Sequence, residues 1–230
     1  YSPRYTRFFV EDIEGVPVDF VLSGNVTGSD GDGFDKRDSG VMKLTSSNTY
    51  GGKSATEGMT RVHGGTLLLD NTEGSATGKS RVEVTGGNVL GGIGRTGGLA
   101  DSPNATLNLT GNDTGYAVLH PGTINETTGA HLAGTLTAGS VDQSCATAFN
   151  NRSELKISVC DKGLVDCLSV YGKVTIAADA DTKITLVADG LEPSQVKGGT
   201  YTILSATEGI EGEFAAVDAP KGWRVNKVTE

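Results

Sequence analysis

Two short triplets carry carboxylates that could act together in acid–base chemistry: Asp38-Ser39-Gly40 and Asp113-Thr114-Gly115. Aspartic peptidases use two such D-[ST]-G triplets to bring a pair of Asp side chains together. The pair shares one proton, so that one carboxylate activates water while the other acts as an acid. Here charged, polar or glycine residues precede both triplets, where those enzymes have an apolar strand. We therefore favour turns at both triplets, with a peptidase that uses Asp38 and Asp113 as the alternative.

A second group of carboxylates lies just before the first triplet. Asp30, Asp32 and Asp35 are interleaved with glycine, and such a loop could wrap a hard cation such as Ca²⁺ through carboxylate oxygens. The spacing departs from an EF-hand loop, because Phe34 and Val41 occupy positions that need ligands. We favour a solvated loop that joins the N-terminal segment to the strands that follow, with a Ca²⁺ site as the alternative.

The three cysteines, Cys145, Cys160 and Cys167, fall within one short stretch of the chain. An odd count leaves at least one thiol unpaired within the chain. Cys160 and Cys167 flank a short turn, and each adjoins a strand-like run. A disulfide between these two is the candidate pairing in an oxidising compartment. Three reduced and partly buried thiols are the alternative.

The histidines show no recognisable site in their spacing. The chain has His63, His120 and His131, and none of them has ligand-like spacing to the cysteines. No CxxC motif occurs, so a zinc site is disfavoured. No G-x-S-x-G elbow supplies a nucleophile beside them. His63 and His120 each precede a glycine-containing corner, and we expect exposed corner residues.

The composition of the chain indicates an extended β protein. Its 230 residues include 34 Gly and 27 Thr, which together exceed a quarter of the chain. A formal net charge of −9 disfavours a nucleic-acid partner, because phosphate contacts need clustered Lys and Arg. No apolar run approaches the roughly 18 residues that a membrane-spanning helix needs. The first residue is Tyr rather than Met, so we expect a mature or excised fragment.

Short period-two runs separated by glycine pairs predict β-strands through most of the chain. The clearest runs are residues 41–45, 66–69, 81–85, 105–110, 154–159 and 183–187. No segment sustains a 3.6-residue period over three turns, so almost no helix is expected. Short strands between glycine corners favour a solenoid over a sandwich of long hairpins. With coils of about 20 residues, roughly ten coils would stack to about 50 Å.

The order of these strands and corners resembles the autotransporter-associated β-strand repeat. That repeat runs G-x-L-x-L-x-G-x-N-T-Y-x-G and then G-G-T-L, and the corresponding residues are 40–52 and 62–69. Further motifs follow in the order typical of such passenger domains: 86–94, 118–122, 134–137, 166–172, 201–204 and 212–214. The resemblance covers about residues 33–228. It implies an all-β fold, a right-handed parallel β-helix, with residues 33–230 as the repeat domain.

Residues 1–32 match no motif of the repeat, and aromatic side chains crowd this segment. Tyr1, Tyr5, Phe8 and Phe9 all lie near its start. The end of a β-helix exposes open strand edges and a bare core, so it needs a cover. We therefore expect residues 1–32 to form an N-terminal cap, with a glycan-binding surface as the alternative use of these rings.

The resemblance also implies a location and a role. Passenger domains of this family are secreted through, or displayed on, the bacterial outer membrane, so we expect an extracellular or cell-surface protein. The expected function is structural, as a stalk that presents or spaces another module and makes adhesive contacts with host or surface glycans or proteins. This role requires no active site and no cofactor. A secreted aspartic-type hydrolase and a glycan-binding module are the alternatives.

Overall fold

The structure consists of strands joined by glycine-rich corners. The computed structural model describes residues 4–52, 58–79, 81–102, 105–160, 163–178, 180–189, 195–196 and 198–227. In chain order the strands are β1 (Arg4–Phe9), β2 (Phe20–Leu22), β3 (Asp32–Arg37), β4 (Val41–Leu44), β5 (Thr60–Val62), β6 (Thr66–Leu69), β7 (Val82–Thr85), β8 (Val89–Gly92), β9 (Arg95–Thr96), β10 (Thr106–Thr110), β11 (Ala117–Pro121), β12 (Thr123–Ile124), β13 (His131–Leu132), β14 (Thr135–Ala138), β15 (Ala146–Phe149), β16 (Ser153–Val159), β17 (Cys167–Val170), β18 (Val174–Ile176), β19 (Thr182–Ala188), β20 (Leu204–Ala206), β21 (Ile210–Glu211) and β22 (Ala216–Asp218). The prediction of an all-β chain is confirmed.

Most of these strands lie in three parallel sheets. The first sheet has the order β1-β3-β5-β7-β10-β15-β18-β21, and the second has the order β2-β4-β6-β8-β11-β16-β19-β22. The third sheet is shorter, with the order β9-β14-β17-β20. The chain visits the sheets in turn, and each strand pairs in parallel with the strand one circuit earlier. This topology is compatible with a β-solenoid, and we call one circuit of the chain a coil.

The coils are longer than the sequence pattern suggested. Partners in the first sheet are 22 positions apart at Thr60↔Val82 and 40 positions apart at Leu107↔Thr147. Eight strands in each long sheet leave seven inter-strand spacings, which amount to about 34 Å at about 4.8 Å each. The expectation of about ten coils and about 50 Å is therefore wrong, because the corners hold more residues than it assumed.

Interior rows of apolar side chains form the core. In the second sheet one row contains Met42, Leu67, Leu90, Leu119 and Leu155, and all five are fully buried. Inward apolar residues alternate with outward residues along strands such as β7 and β10, as the period-two runs predicted. Burying one such side chain stabilises the fold by roughly 1.5–3 kcal/mol. The stack of coils is therefore held together mainly by contacts between equivalent positions of neighbouring coils.

The N-terminal residues join the sheets from the first described strand. Strand β1 pairs with β3 and strand β2 with β4, both in parallel. Phe8 stacks on Phe34 with ring centroids 4.6 Å apart, and Phe34 stacks on Tyr50 at 5.9 Å. Within the described residues, the boundary expected near residue 32 coincides with no break in either long sheet. Aromatic packing thus continues from the first strand into the core, while Tyr1 lies outside the described residues.

Strand β3 replaces the solvated loop that was expected between the N-terminal segment and the repeats. Its inward side chains are Phe34 and Lys36, and both are almost fully buried. Lys36 Nζ donates to the carbonyl oxygens of Asp38 at 2.6 Å and Gly40 at 2.5 Å. The loop prediction is wrong because the charges of this segment find partners within the fold, which allows the backbone to pair as a strand.

A buried asparagine links three successive coils at one corner. Asn48 is 1% exposed; its Oδ1 accepts a hydrogen bond from Val26 N at 2.7 Å, and its Nδ2 donates to Ala76 O at 2.6 Å. Two residues further on, Tyr50 is buried and its hydroxyl lies 2.7 Å from Thr60 Oγ1. Asn48 and Tyr50 of the N-T-Y-G motif therefore form a corner in which their polar groups are paired inside the protein.

One antiparallel hairpin leaves the coils after β11. Strands β12 and β13 pair Thr123 with Leu132 and Ile124 with His131. The hairpin, defined here as residues 122–132, folds back across the second sheet, where Lys43 Nζ of β4 donates to Ile124 O at 3.1 Å. This excursion brings a histidine onto the outer face of the sheet.

Candidate functional site

The two D-[ST]-G triplets lie at corners of different coils. Asp38 follows β3 and Asp113 follows β10, and strands β5 and β7 lie between these two strands in the first sheet. Three inter-strand spacings separate the triplets by about 14 Å, whereas carboxylates that share a proton lie about 3 Å apart. The side chain of Asp113 is fully exposed. The structure therefore does not bring the predicted dyad together, and both residues are corner residues.

The three carboxylates of the predicted Ca²⁺ site lie in different surroundings. Asp35 is 2% exposed, and its Oδ2 lies 2.9 Å from Arg37 Nε. Asp32 lies on the opposite face of β3, because an odd number of positions separates it from Asp35, and its Oδ2 accepts hydrogen bonds from Ser29. Asp30 is exposed. The Asp30–Asp32–Asp35 site is therefore not formed, since β3 turns its carboxylates in opposite directions and a cation already neutralises Asp35.

All three cysteines are free thiols. An antiparallel bridge pairs Val159 with Val165, and this register offsets Cys160 from Cys167 by three positions along the two segments. Three positions correspond to about 10 Å, whereas a disulfide needs Cα atoms within about 7 Å. The candidate bond is therefore absent. Cys145 lies in the core, and burial raises its pKa to about 12.

Three side chains from separate segments converge on the outer side of the second sheet. His120 projects outward from β11, His131 belongs to β13 of the hairpin, and Asp166 directly precedes β17. Their ligand atoms all lie within 4.8 Å of one another. The two imidazole rings stack in parallel, with centroids 4.5 Å apart and 3° between their planes. We call these three residues the His–His–Asp cluster.

Asp166 is the centre of the cluster and is fully buried. Its Oδ2 lies 2.9 Å from His131 Nε2 and accepts a 2.8 Å hydrogen bond from Ser158 N. Its Oδ1 accepts a 3.1 Å hydrogen bond from Gly134 N, and His120 Nε2 lies 3.5 Å from Oδ2. Backbone donors therefore orient the carboxylate toward both imidazoles. Without such partners a buried carboxylate would strongly destabilise the fold.

The surroundings of the cluster keep His120 uncharged. Burial, the neighbouring His131 and the positive charge of Lys156 lower the pKa of His120 to about 3. Its Nε2 also lies 3.0 Å from Ser158 Oγ. At physiological pH this side chain is therefore a neutral imidazole, which is the form of histidine that binds metal ions.

A glycine makes room for the cluster at the base of the hairpin. Gly122 has a φ of 94°, and a Cβ at this position would lie 2.4 Å from His131 Nε2 and 2.6 Å from Asp166 Oδ1. Any other residue there would collide with both groups. Farther along the hairpin, Glu126 Oε1 lies 3.0 Å from Lys43 Nζ. The hairpin is thus held at its base by the cluster and near its turn by an ion pair.

The cluster has the donor atoms of a metal site and lacks the geometry of a catalytic triad. In a Ser-His-Asp triad the two imidazole nitrogens contact different partners, whereas His120 directs the same Nε2 toward both Ser158 and Asp166. Two imidazole nitrogens and a carboxylate oxygen are typical ligands of zinc. Cys160 and Cys167 stay protonated, because burial and the charge of Asp166 raise their pKa values.

The sequence analysis did not indicate this cluster, and it expected His63 and His120 at exposed corners. His120 instead lies within strand β11 and is largely buried. His131 is 11 positions and Asp166 is 46 positions beyond His120, and no spacing rule links positions so far apart. One usable signal was the alternation around Leu119, which places His120 on the outward face of a strand.

No family model matches the chain, and no curated protein matches it either. The resemblance to the autotransporter-associated repeat therefore stays a prediction that rests on residue motifs. Within the part of the chain that the structure describes, no helix has both the length and the apolar character to cross a membrane.

Proposed function

We propose that the protein is a structural stalk of a bacterial cell surface, a right-handed parallel β-helix with an N-terminal cap that spaces or presents another module. One observation carries the proposal: eight strands of each long sheet pair in parallel and in chain order. In such a stack each coil contacts chiefly its neighbours, so the fold extends along one axis. Such a stack supplies reach and stiffness.

The surface location is supported by the order of the repeat motifs. The most specific motif, residues 40–52, contains β4 and the buried corner at Asn48, and residues 62–69 contain β6 of the next coil. The motif residues thus have roles in coil stacking, which is what a repeat of a β-helical passenger domain requires. The location itself is carried over from the resemblance.

Contacts of the N-terminal aromatic rings favour the cap over a glycan-binding surface. Arg61 Cζ lies 4.2 Å from the centroid of the Tyr5 ring, and Phe8 stacks on Phe34. These contacts occupy one face of the Tyr5 ring and one face of the Phe8 ring, as the packing of a cap requires, whereas Phe9 is 65% exposed. We therefore place adhesive contacts, as part of this proposal, on the outer faces of the sheets.

Labelling of intact cells tests the proposal. An antibody raised against the folded protein should label intact cells of the bacterium that makes it, and a protease added outside the cells should remove the label. A periplasmic and a cytoplasmic protein of the same cells serve as controls for membrane integrity. If the antibody reaches the protein only after permeabilisation, the surface function is wrong.

A further inference from the structure

We propose that His120, His131 and Asp166 bind a divalent transition-metal ion of the zinc type, and that the ion fixes the hairpin to the coils. This site is separate from the structural function proposed above, which requires no metal. Three protein ligands leave a fourth coordination position for water. The proposal rests on the positions of the donor atoms and on the way they are held.

The donor atoms decide the class of ion. Imidazole nitrogens suit zinc and neighbouring transition metals, whereas Ca²⁺ and Mg²⁺ take oxygen ligands. Zinc–ligand bonds of about 2.0–2.1 Å in a tetrahedral site place the ligand atoms about 3.3 Å apart. The Nε2 atoms of His131 and His120 lie 2.9 Å and 3.5 Å from Asp166 Oδ2. These nitrogen–oxygen separations lie on either side of the tetrahedral value. Because the two rings are parallel, they must tilt toward the ion for both Nε2 lone pairs to point at it.

The carboxylate is oriented by the fold and not by a flexible loop. Asp166 accepts hydrogen bonds from the backbone amides of Ser158 and Gly134, and such outer partners typically orient the ligands of metal sites. Gly122 lacks the Cβ that would fill the space next to His131 Nε2 and Asp166 Oδ1. Glycine at this position thus lets the backbone of the hairpin approach two of the three donors closely.

The position of His120 distinguishes a metal site from a simple ion pair. A hydrogen-bonded pair of His131 and Asp166 would be complete without a second imidazole. His120 nevertheless stacks on His131 and directs its Nε2 toward the same carboxylate oxygen. The side chains of His120 and His131 are 18% and 12% exposed, so a small ion can reach the cluster from solvent.

Zinc titration of the purified chain tests the proposal. The protein is first dialysed against a chelator, and zinc chloride is then titrated by isothermal calorimetry. We expect one ion per chain, with the affinity reduced roughly 100-fold in His120→Ala and in His131→Ala. His63→Ala is the matched control, because His63 contacts Asp35 at 3.0 Å on the first sheet. This control should bind zinc as the wild type does.

Hydrogen exchange gives a second measurement that does not depend on affinity. Zinc should slow amide exchange in residues 123–132 of the wild type and of His63→Ala, and it should leave exchange unchanged in His131→Ala. Calcium chloride should have no effect on this segment. The proposal is overturned if the folded wild type binds no zinc, if His131→Ala binds it equally well, or if calcium gives the same protection. Circular dichroism establishes that each variant is folded.

Discussion

Replacement of Asn48 by Ala should destabilise the protein by about 2–4 kcal/mol. The variant leaves Val26 N and Ala76 O without the side chain that now bonds them at 2.7 Å and 2.6 Å. The bond to Ala76 O is buried, so its loss costs about 1–3 kcal/mol, whereas the bond from Val26 N is only partly buried and its loss costs about 1 kcal/mol. Because the two partners belong to the preceding and the following coil, the substitution removes both side-chain links at once, while the backbone bonds from Asn48 N to Ser75 O and from Thr49 N to Val26 O remain.

Urea unfolding followed by far-ultraviolet circular dichroism measures this change. Asn108→Ala is the matched control, because Asn108 faces outward from β10 and its Nδ2 donates to the nearby Thr106 Oγ1 at 2.9 Å. We expect this control to lose no more than about 1 kcal/mol. Equal losses in the two variants would show that the buried corner does not hold the coils together.

The variant Asn48→Asp isolates the effect of losing the hydrogen-bond donor from the effect of losing the acceptor. Asn48→Asp keeps an oxygen that can accept from Val26 N, but it places a carboxylate against Ala76 O. Burial raises the pKa of such a carboxyl, so the folded state binds more protons than the unfolded chain. The stability difference from the wild type should therefore shrink as the pH falls. A difference that stays constant with pH contradicts the burial of this side chain.

Two further predictions concern the charged residues of β3 and the corners. Burial lowers the pKa of Lys36 from 10.5 to about 8; between these values the unfolded chain binds more protons, so the urea midpoint of the wild type should rise with pH relative to Lys36→Met. The prediction is refuted if the urea midpoints of the wild type and of Lys36→Met change with pH in the same way. Asp38→Asn and Asp113→Asn should each change stability by no more than about 0.5 kcal/mol and leave peptide hydrolysis at background. Turnover of a protein substrate that either substitution abolishes would restore the hydrolase alternative.

Apolar periodicity predicted the strands whose inward residues are all apolar. The interior row through Met42 and Leu67 arises from the runs at residues 41–45 and 66–69, and β4 and β6 lie within those runs. Apolar periodicity did not predict strand β3, because its buried inward side chains include Lys36 and its outward side chains include Asp35. In the sheet Lys36 pairs with Phe8 of the preceding coil and with Val62 of the next coil, and a local reading of the sequence cannot supply such neighbours.

The corner at Asn48 and the His–His–Asp cluster differ in how much the sequence reveals. The corner belongs to a contiguous motif, so it was recognisable even though its hydrogen bonds were not. The cluster depends on the length of the coils, which the corners set. Leu119 pairs with Leu155, an offset of 36 positions, whereas coils of about 20 residues would have placed other residues beside His120. The hairpin then adds His131 by folding back across the sheet.

The unequal offsets between paired strands have a consequence for how such a chain can change over evolutionary time. Leu119 pairs with Leu90 on one side and with Leu155 on the other, although 29 positions separate the first pair and 36 the second. The ladder therefore tolerates corners of different length, and each doubling of a flexible loop costs only about 0.6 kcal/mol. Segments at the corners can be lengthened or exchanged while the interior rows stay unaltered. The exterior of the molecule can thus diverge independently of the stack that supports it.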